Sequence, residues 1–198
     1  MITDISKNMK DSFNVVVAGA TGYVGLELIK ILSNHPHVKI RYLCAQKSIG
    51  KSINLFDKRI KKKLPKISKI SNVNWNAINI LFTALPNGQA QEIIKKIPKR
   101  IKIIDLSADF RLTNLKTYKE WYGINHKSKE LINKSIYAIT EFTKNQLSKY
   151  RIIACPGCYP TSVQIPLIPL LKKKIINTQN IIIDSKSGYS GAGKNIKK

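Results

Sequence analysis

Val15-Val16-Val17-Ala18-Gly19-Ala20-Thr21-Gly22-Tyr23-Val24-Gly25-Leu26 is the stretch that decides how this chain folds. Phe13 to Ala18 is an apolar, valine-rich run, the composition of a strand buried on both faces. Tyr23 to Leu32 carries Val24, Leu28, Ile31 and Leu32 at helical spacing. Asn34-His35-Pro36 then ends that helix. Between strand and helix, Gly19, Gly22 and Gly25 are spaced G-x-x-G-x-x-G, a variant of the G-x-G-x-x-G dinucleotide fingerprint. The physical demand is the same in both. The strand must turn sharply, backbone must approach a pyrophosphate closely, and a helix N-terminus must face the anion. Gly19, Ala20, Thr21, Gly22, Tyr23 and Val24 are the candidate contacts, with Thr21 able to add a hydroxyl to a phosphate oxygen. The alternative is an ordinary strand-to-helix turn whose glycines serve packing alone.

The pattern repeats downstream. Val38 to Cys44, Ile78 to Leu85, Ile101 to Leu106 and Ile152 to Ala154 read as further strands, and Ile181 to Asp184 as one more. Pro86-Asn87-Gly88 is a turn, and Gln89 to Ile97 is a helix stopped by Pro98. Residues 45–76 are basic and irregular, and 107–150 mix short helices with loops. Alternating apolar strands and helices predict an α/β fold, a Rossmann-type doubly wound parallel sheet with helices on both faces. After Cys158 an apolar segment runs to Leu171. Pro166 and Pro169 each remove a backbone donor there, which predicts an interrupted or kinked helix.

Dinucleotide folds that prefer NAD place an acid about 20 residues after the glycines, on the ribose hydroxyls. Leu43-Cys44-Ala45-Gln46-Lys47-Ser48 holds no acid there, and Lys47 is basic. That arrangement favours a 2′-phosphate, hence NADP(H).

The second informative turn is Pro156-Gly157-Cys158-Tyr159-Pro160-Thr161, directly after Ile152-Ile153-Ala154. Cys158 lies at the mouth of a strand and at the start of an expected helix, where a thiol pKa is lowered and a thiolate can attack. Cys155 and Cys158 also have C-x-x-C spacing, which admits a redox pair or half of a zinc site. No second cysteine pair exists to complete a metal site. A buried structural thiol is the remaining alternative.

Composition narrows the class. At 198 residues the chain suits one domain and part of a second. Its apolar runs are too short to span a bilayer, and Met1 to Ser12 lacks a secretory signal's apolar core. Three cysteines make no disulfide framework, so a reducing cytoplasm is expected. The formal charge of +24 raises the question of nucleic acid. The lysines are spread along the chain, however, and Lys58-Arg59-Ile60-Lys61-Lys62-Lys63 is the one dense basic run, without interleaved aromatics. A lysine-biased surface is the favoured reading, with no nucleic-acid or membrane partner expected.

With these turns in hand, the chain resembles the N-acetyl-γ-glutamyl-phosphate reductases of arginine biosynthesis. The likeness rests on Gly19 to Gly25, Asp105-Leu106-Ser107-Ala108-Asp109-Phe110-Arg111, Pro156 to Thr161, and Ser187-Gly188-Tyr189-Ser190-Gly191-Ala192-Gly193-Lys194. Aspartate-semialdehyde dehydrogenases are relatives with a similar first motif, but their cysteine lies in a differently composed segment. The resemblance implies an NADP(H)-binding domain over residues 1–155. It also implies the beginning of an α+β catalytic and dimerisation domain over 156–198. It implies a Cys158 thiolate that attacks the acyl phosphate, a thioester, and hydride reduction by NADPH to the semialdehyde. It gives Arg111, Ser190 and Lys194 to the substrate, and Ser187 and Gly191 to the cofactor side. An ion pair of Arg111 with Asp105 or Asp109 is the alternative for that residue. The resemblance implies no metal, and a homo-oligomer for the full-length family.

There are departures. The family is longer, and its general-base histidine lies beyond the Ser-Gly-Ala-Gly segment, so the chain reads as an N-terminal portion or a truncated product. His35, His37 and His126 all precede the cysteine turn. Cys155 and Asn87 stand where the family usually has Asn and His. A dinucleotide-binding module without catalysis, or another acyl-phosphate reductase, are the competing readings.

Overall fold

The computed structural model describes residues 12–193 of the chain. Its centre is a seven-stranded sheet of β1 (Phe13–Ala18), β2 (Val38–Cys44), β3 (Ile67–Ser68), β4 (Ile80–Thr83), β5 (Lys102–Asp105), β6 (Ser135–Tyr137) and β7 (Ile152–Ala154), in the order β3-β2-β1-β4-β5-β7-β6. Every neighbouring pair is parallel. The helices are α1 (Tyr23–Ser33), α2 (Gln89–Lys96), α3 (Leu115–Tyr122), α4 (Thr140–Thr143) and α5 (Cys158–Lys172).

Strand alternation explains the two-sided core. Val15 and Val17 point to one face and join Leu26, Ile29 and Leu32 of α1. Val16 and Ala18 point to the other and join Ala90 and Ile94 of α2. The three valines are fully buried, each contributing about 1.5–3 kcal/mol of burial. A strand covered on both faces has no room for a polar residue, hence the unbroken apolar run.

The expected doubly wound parallel sheet is observed. Strands at Ile78–Leu85 and Ile101–Leu106 are shorter than predicted, because pairing stops where the chain turns over the sheet edge. The short β3 and β6 lie in stretches that composition leaves unassigned. Residues 181–184 are not a strand: they carry no regular structure, and Ile182 is 92 % exposed. A lone apolar run becomes a strand only where another strand pairs with it. Of the interruption or kink expected at Pro166 and Pro169, the interruption is absent, since α5 runs through both. No residue of α5 is buried, and Ser162 and Ile165, whose carbonyls the prolines leave unpaired, are exposed to water. Ile165 and Leu170 are exposed, while Leu167 and Ile168 are partly covered.

The dense basic run is partly committed to the fold. Arg59 pairs with Glu27 of α1 and with Asp57, and Lys62 Nζ donates to Ser33 O at the C-terminal end of α1 at 2.7 Å. A cation there satisfies an otherwise unpaired carbonyl.

One buried carboxyl ties β4 to β5. Asp105 lies opposite Thr83 in the ladder and is fully buried. Its Oδ1 accepts from Thr83 Oγ1 at 2.6 Å, Ser107 Oγ at 2.5 Å and Ser107 N at 3.0 Å. Its Oδ2 has no partner. Burial pushes the Asp105 carboxyl above the usual carboxylate range, and the three donors and nearby Asp109 modify that shift. The folded state therefore holds a proton that the unfolded chain releases. The group's favourable contribution is complete below about pH 4 and is lost as pH rises towards the raised folded value. Asp105→Asn mimics the neutral acid. The Tm difference, variant minus wild type, should move in the variant's favour as pH is raised from 4 to 8. A difference that moves the other way would show an ionised Asp105.

Candidate active site

In a parallel sheet the C-terminal ends of all strands share one edge. The glycine turn follows β1 and the cysteine turn follows β7, so both open on that edge, where α/β proteins bind ligands.

At the first turn, Gly19 has φ +87, and a Cβ there would collide with the backbone of Ala84. A Cβ on Gly25 would collide with the Gly19 carbonyl. These two glycines serve close packing of β1, α1 and the end of β4. Gly22 differs. It is extended, with φ −74, and a Cβ would meet only Gly19 O at an ordinary 3.5 Å. Gly19 N and Ala20 N donate to Cys44 O at 2.9 and 3.0 Å, and Gly22 N donates to Gly19 O at 3.1 Å. Those donors hold the turn itself. Leu26 N donates to Gly22 O at 2.9 Å, the first bond of α1.

A cleft of about 340 Å³ opens beside this turn, lined by Gly19, Ala45, Gln46, Lys69, Leu85 and Gln89 among others. Its walls are mostly apolar, and no acid lines it. Gln46 Nε2 donates to Gln89 Oε1 at 3.3 Å between the ends of β2 and α2. An apolar slot with amides and one cation fits an adenosine end. Of the sequence candidates, Gly19 lines the cleft. Ala20 is fully buried in the core on the α1 face of the sheet. The side chains of Tyr23 and Val24 border a separate apolar groove with Leu28, Ile31 and Leu106. Lys47 is exposed and does not line the cleft. Gln46 lies in the stretch searched for the usual acid, while Lys69 and Gln89 escape such a search, since proximity of β3 and α2 to β2 is a tertiary fact.

The wall formed by the β4–α2 turn is pinned by a buried network. Asp109 accepts from Gly88 N at 2.7 Å and Gln91 N at 3.1 Å, capping α2. The Tyr118 hydroxyl lies 2.9 Å from both Asp109 Oδ1 and Asn87 Oδ1. Burial, reinforced by Asp109, keeps Tyr118 protonated well above its ordinary range. His126 is 3 % exposed, with Nε2 at 2.9 Å from Asp109 O and Nδ1 accepting from Ser128 N at 3.2 Å. Burial lowers its pKa, so it is a neutral structural histidine.

At the second turn, Cys155 N donates to Asp105 O at 2.7 Å, extending the β5–β7 ladder by one residue. Gly157 is the extended N-cap of α5, and Cys158 is its first residue, exposed and free. Arg111 lies under this turn. Its Nε donates to Cys155 O at 2.8 Å and its Nη2 to Leu106 O at 3.1 Å. Among the described residues it makes no ion pair, with Asp105 and Asp109 or otherwise. A Cβ on residue 157 would come within 3.3 Å of Arg111 Nη1, so glycine leaves space for the guanidinium. Cys44 is buried and Cys155 half-buried; burial pushes each thiol up to about 11, with Asp105 adding to the effect at Cys155.

Ser187, Ser190 and Gly191 are exposed on the segment after residue 184, and their hydrogen bonds stay within it: Ser187 Oγ to Gly188 O, Gly191 N to Gly188 O, and Gly193 N to Ser190 O. Lys194 lies outside the described residues. His35 and His37 precede β2 on the opposite edge of the sheet from Cys158. Among the described residues no group of three His, Cys, Asp or Glu could hold a metal, and no helix is long and apolar enough to cross a membrane.

Comparison with known proteins places this geometry. The family model "Semialdehyde dehydrogenase, NAD binding domain" matches residues 14–150, and "Semialdehyde dehydrogenase, dimerisation domain" matches 158–198. The chain is 48 % identical over 191 residues to the N-acetyl-gamma-glutamyl-phosphate reductase of Ehrlichia ruminantium (strain Gardel), covering 95 % of this chain and 55 % of that protein. It is 42 % identical to the probable chloroplastic N-acetyl-gamma-glutamyl-phosphate reductase of Oryza sativa subsp. japonica, covering 95 % of this chain and 46 % of that one. The chain thus spans about half the length of the curated relatives it matches. Among solved structures, an aspartate semialdehyde dehydrogenase with NADP from Candida albicans shares the fold with a TM-score of 0.54 at 21 % identity, over 82 % of this chain and 48 % of that one. Aspartate semialdehyde dehydrogenase II from Vibrio cholerae gives 0.57 at 16 %, over 82 % and 47 %. Its two successive domain matches and its parallel sheet make this chain a member of the semialdehyde dehydrogenase family, carrying that family's NAD-binding domain.

Proposed function

We propose that the chain is the cofactor-binding and nucleophile-bearing part of an NADPH-dependent N-acetyl-γ-glutamyl-phosphate reductase. The observation that carries this is Cys158, an exposed thiol at the start of α5 on the same sheet edge as the glycine turn. The named reductases among the relatives support the substrate assignment. The dinucleotide supplies hydride when bound. Cys158 sulfur attacks the acyl carbon, the carbon–oxygen bond to phosphate breaks, and a thioester remains. Hydride reduction of the thioester carbonyl leaves a hemithioacetal, which releases the semialdehyde and regenerates the thiol. Arg111 holds the turn through Cys155 O and sits where its remaining N–H groups can meet the substrate's phosphate oxygens. The likeness to the reductases assigns Ser187 and Gly191 to the cofactor side and Ser190 and Lys194 to the substrate. The functional division falls at 155/156. Three free thiols suit a reducing compartment such as the cytoplasm, and the matched dimerisation domain suits a homo-oligomer.

The cofactor site is tested at Gly22, where the fold has space for a side chain and a pyrophosphate does not. Gly22→Ala should lower Tm by no more than about 4 °C, the cost of replacing the N-cap glycine of α1 by alanine, and lose NADPH binding by fluorescence titration. Undiminished binding would move the pyrophosphate away from this turn.

The nucleophile is tested by a short iodoacetamide pulse at pH 7 with mass mapping. Cys158 should be labelled first. A thiol with a pKa near 11 is ionised to only about one part in 10⁴ at that pH, which holds back Cys44 and Cys155. Preferential labelling of Cys155 would shift the nucleophile three residues upstream.

The general base is assigned outside residues 1–198, because His35 and His37 lie on the far edge and His126 is engaged in the network around Asp109. General acid–base help is worth about 10²–10⁴-fold. Residues 1–198 should therefore show at least about 10²-fold less phosphate-dependent NADP⁺ reduction with the semialdehyde than a chain extended by the downstream reading frame. Equal rates would require a base among the residues present.

A further inference from the structure

We infer that Lys69, together with Gln46, reads the 2′-phosphate of the dinucleotide, so that Lys69 rather than Lys47 is the residue that sets NADP(H) over NAD(H). This rests on the dinucleotide reading of the cleft. The end of β2 is where an NAD-preferring fold presents its acid. In this chain β3 runs alongside β2 to the same point: Cys44 is paired with Ser68, and Ala45 N donates to Ser68 O at 3.2 Å. Lys69 is the next residue, so it lies beside Ala45 and Gln46 at the cleft. It is exposed, and among the described residues it has no ion-pair partner.

The path of the chain takes Lys47 elsewhere. After Gln46 the backbone enters a turn with Ser48 at φ +65 and Lys51 N donating to Ser48 O at 3.2 Å. It then pairs with the start of β3, through Gly50 N to Ile67 O at 2.8 Å and Ile67 N to Lys51 O at 3.0 Å. Lys47 is carried out on that turn, exposed and away from the cleft lining. Lys69 is the sole charged residue among those lining the cleft, so no carboxylate there opposes a phosphate. Gln46, bonded to Gln89 across the cleft mouth, offers a neutral amide that can turn its N–H groups to the same phosphate.

Adenosine-end probes isolate this contact from the nicotinamide and the substrate. Binding of 2′,5′-ADP and of 5′-AMP should be measured for the wild-type chain, Lys69→Gln and Lys47→Gln, with NADPH and NADH alongside. Both lysines are exposed, so both variants should keep the wild-type Tm. The wild type should favour 2′,5′-ADP over 5′-AMP. Lys69→Gln should lose about tenfold for 2′,5′-ADP and NADPH, the value of a charge-assisted hydrogen bond, and less than about twofold for 5′-AMP and NADH. Lys47→Gln should leave both ratios unchanged. A ratio that survives Lys69→Gln, or falls equally in Lys47→Gln, overturns the assignment to Lys69 and leaves the dinucleotide cleft standing. Failure of the wild type to bind any of the four probes overturns the cleft reading itself.

Discussion

Backbone pressed directly on backbone at the end of β1 is the constraint from which the site follows. Gly19 lies against the Ala84 carbonyl and Gly25 against the Gly19 carbonyl, both at separations where a side chain would collide. That approach brings α1, β1 and the end of β4 together. The cost is conformational, since glycine loses more freedom on folding than any other residue. Gly22, third of the set, is the one whose lack of a side chain the fold itself does not need. A single motif therefore combines two packing glycines with one that packing does not require, and only contact geometry separates them.

The second half of the site depends on the first domain's sheet. Cys155 is tied to Asp105 through the backbone, and Arg111 reaches from the loop after β5 to hold Cys155 and Leu106 by their carbonyls. The Cys158 turn is thus braced from below by the segment that begins at Asp105. This explains why an arginine and two buried aspartates occur together without an ion pair. Asp105 is satisfied at one oxygen by hydroxyls and an amide, and Asp109 by the helix α2 it caps. The guanidinium is left to the carbonyls and to the space above them.

The excess of positive charge has a local rationale in places. Arg59 and Lys62 join the chain between β2 and β3 to α1, and Lys102 Nζ donates to carbonyls of Ser148 and Tyr150 beside β7. Cations that satisfy carbonyls at helix ends and strand turns are spent on the fold.

Sequence by itself determined the strand that opens the fold, the helix after it, the parallel α/β class and the two turns after β1 and β7. These are local: strand burial demands unbroken apolar runs, and sharp turns demand glycine. It misassigned residues 181–184, because strand formation needs a neighbour that periodicity does not reveal, and it broke α5 at prolines whose freed carbonyls water can reach. Tertiary structure alone decided which residues meet. It took Lys47 out on a turn and brought Lys69 to the cleft, because strand order puts β3 beside β2. It also put Arg111 beneath Cys158 instead of against an aspartate, because β5 and β7 are neighbours although a long stretch of chain separates them. Contacts between distant residues follow from sheet order, and sheet order is a property of the whole packed chain.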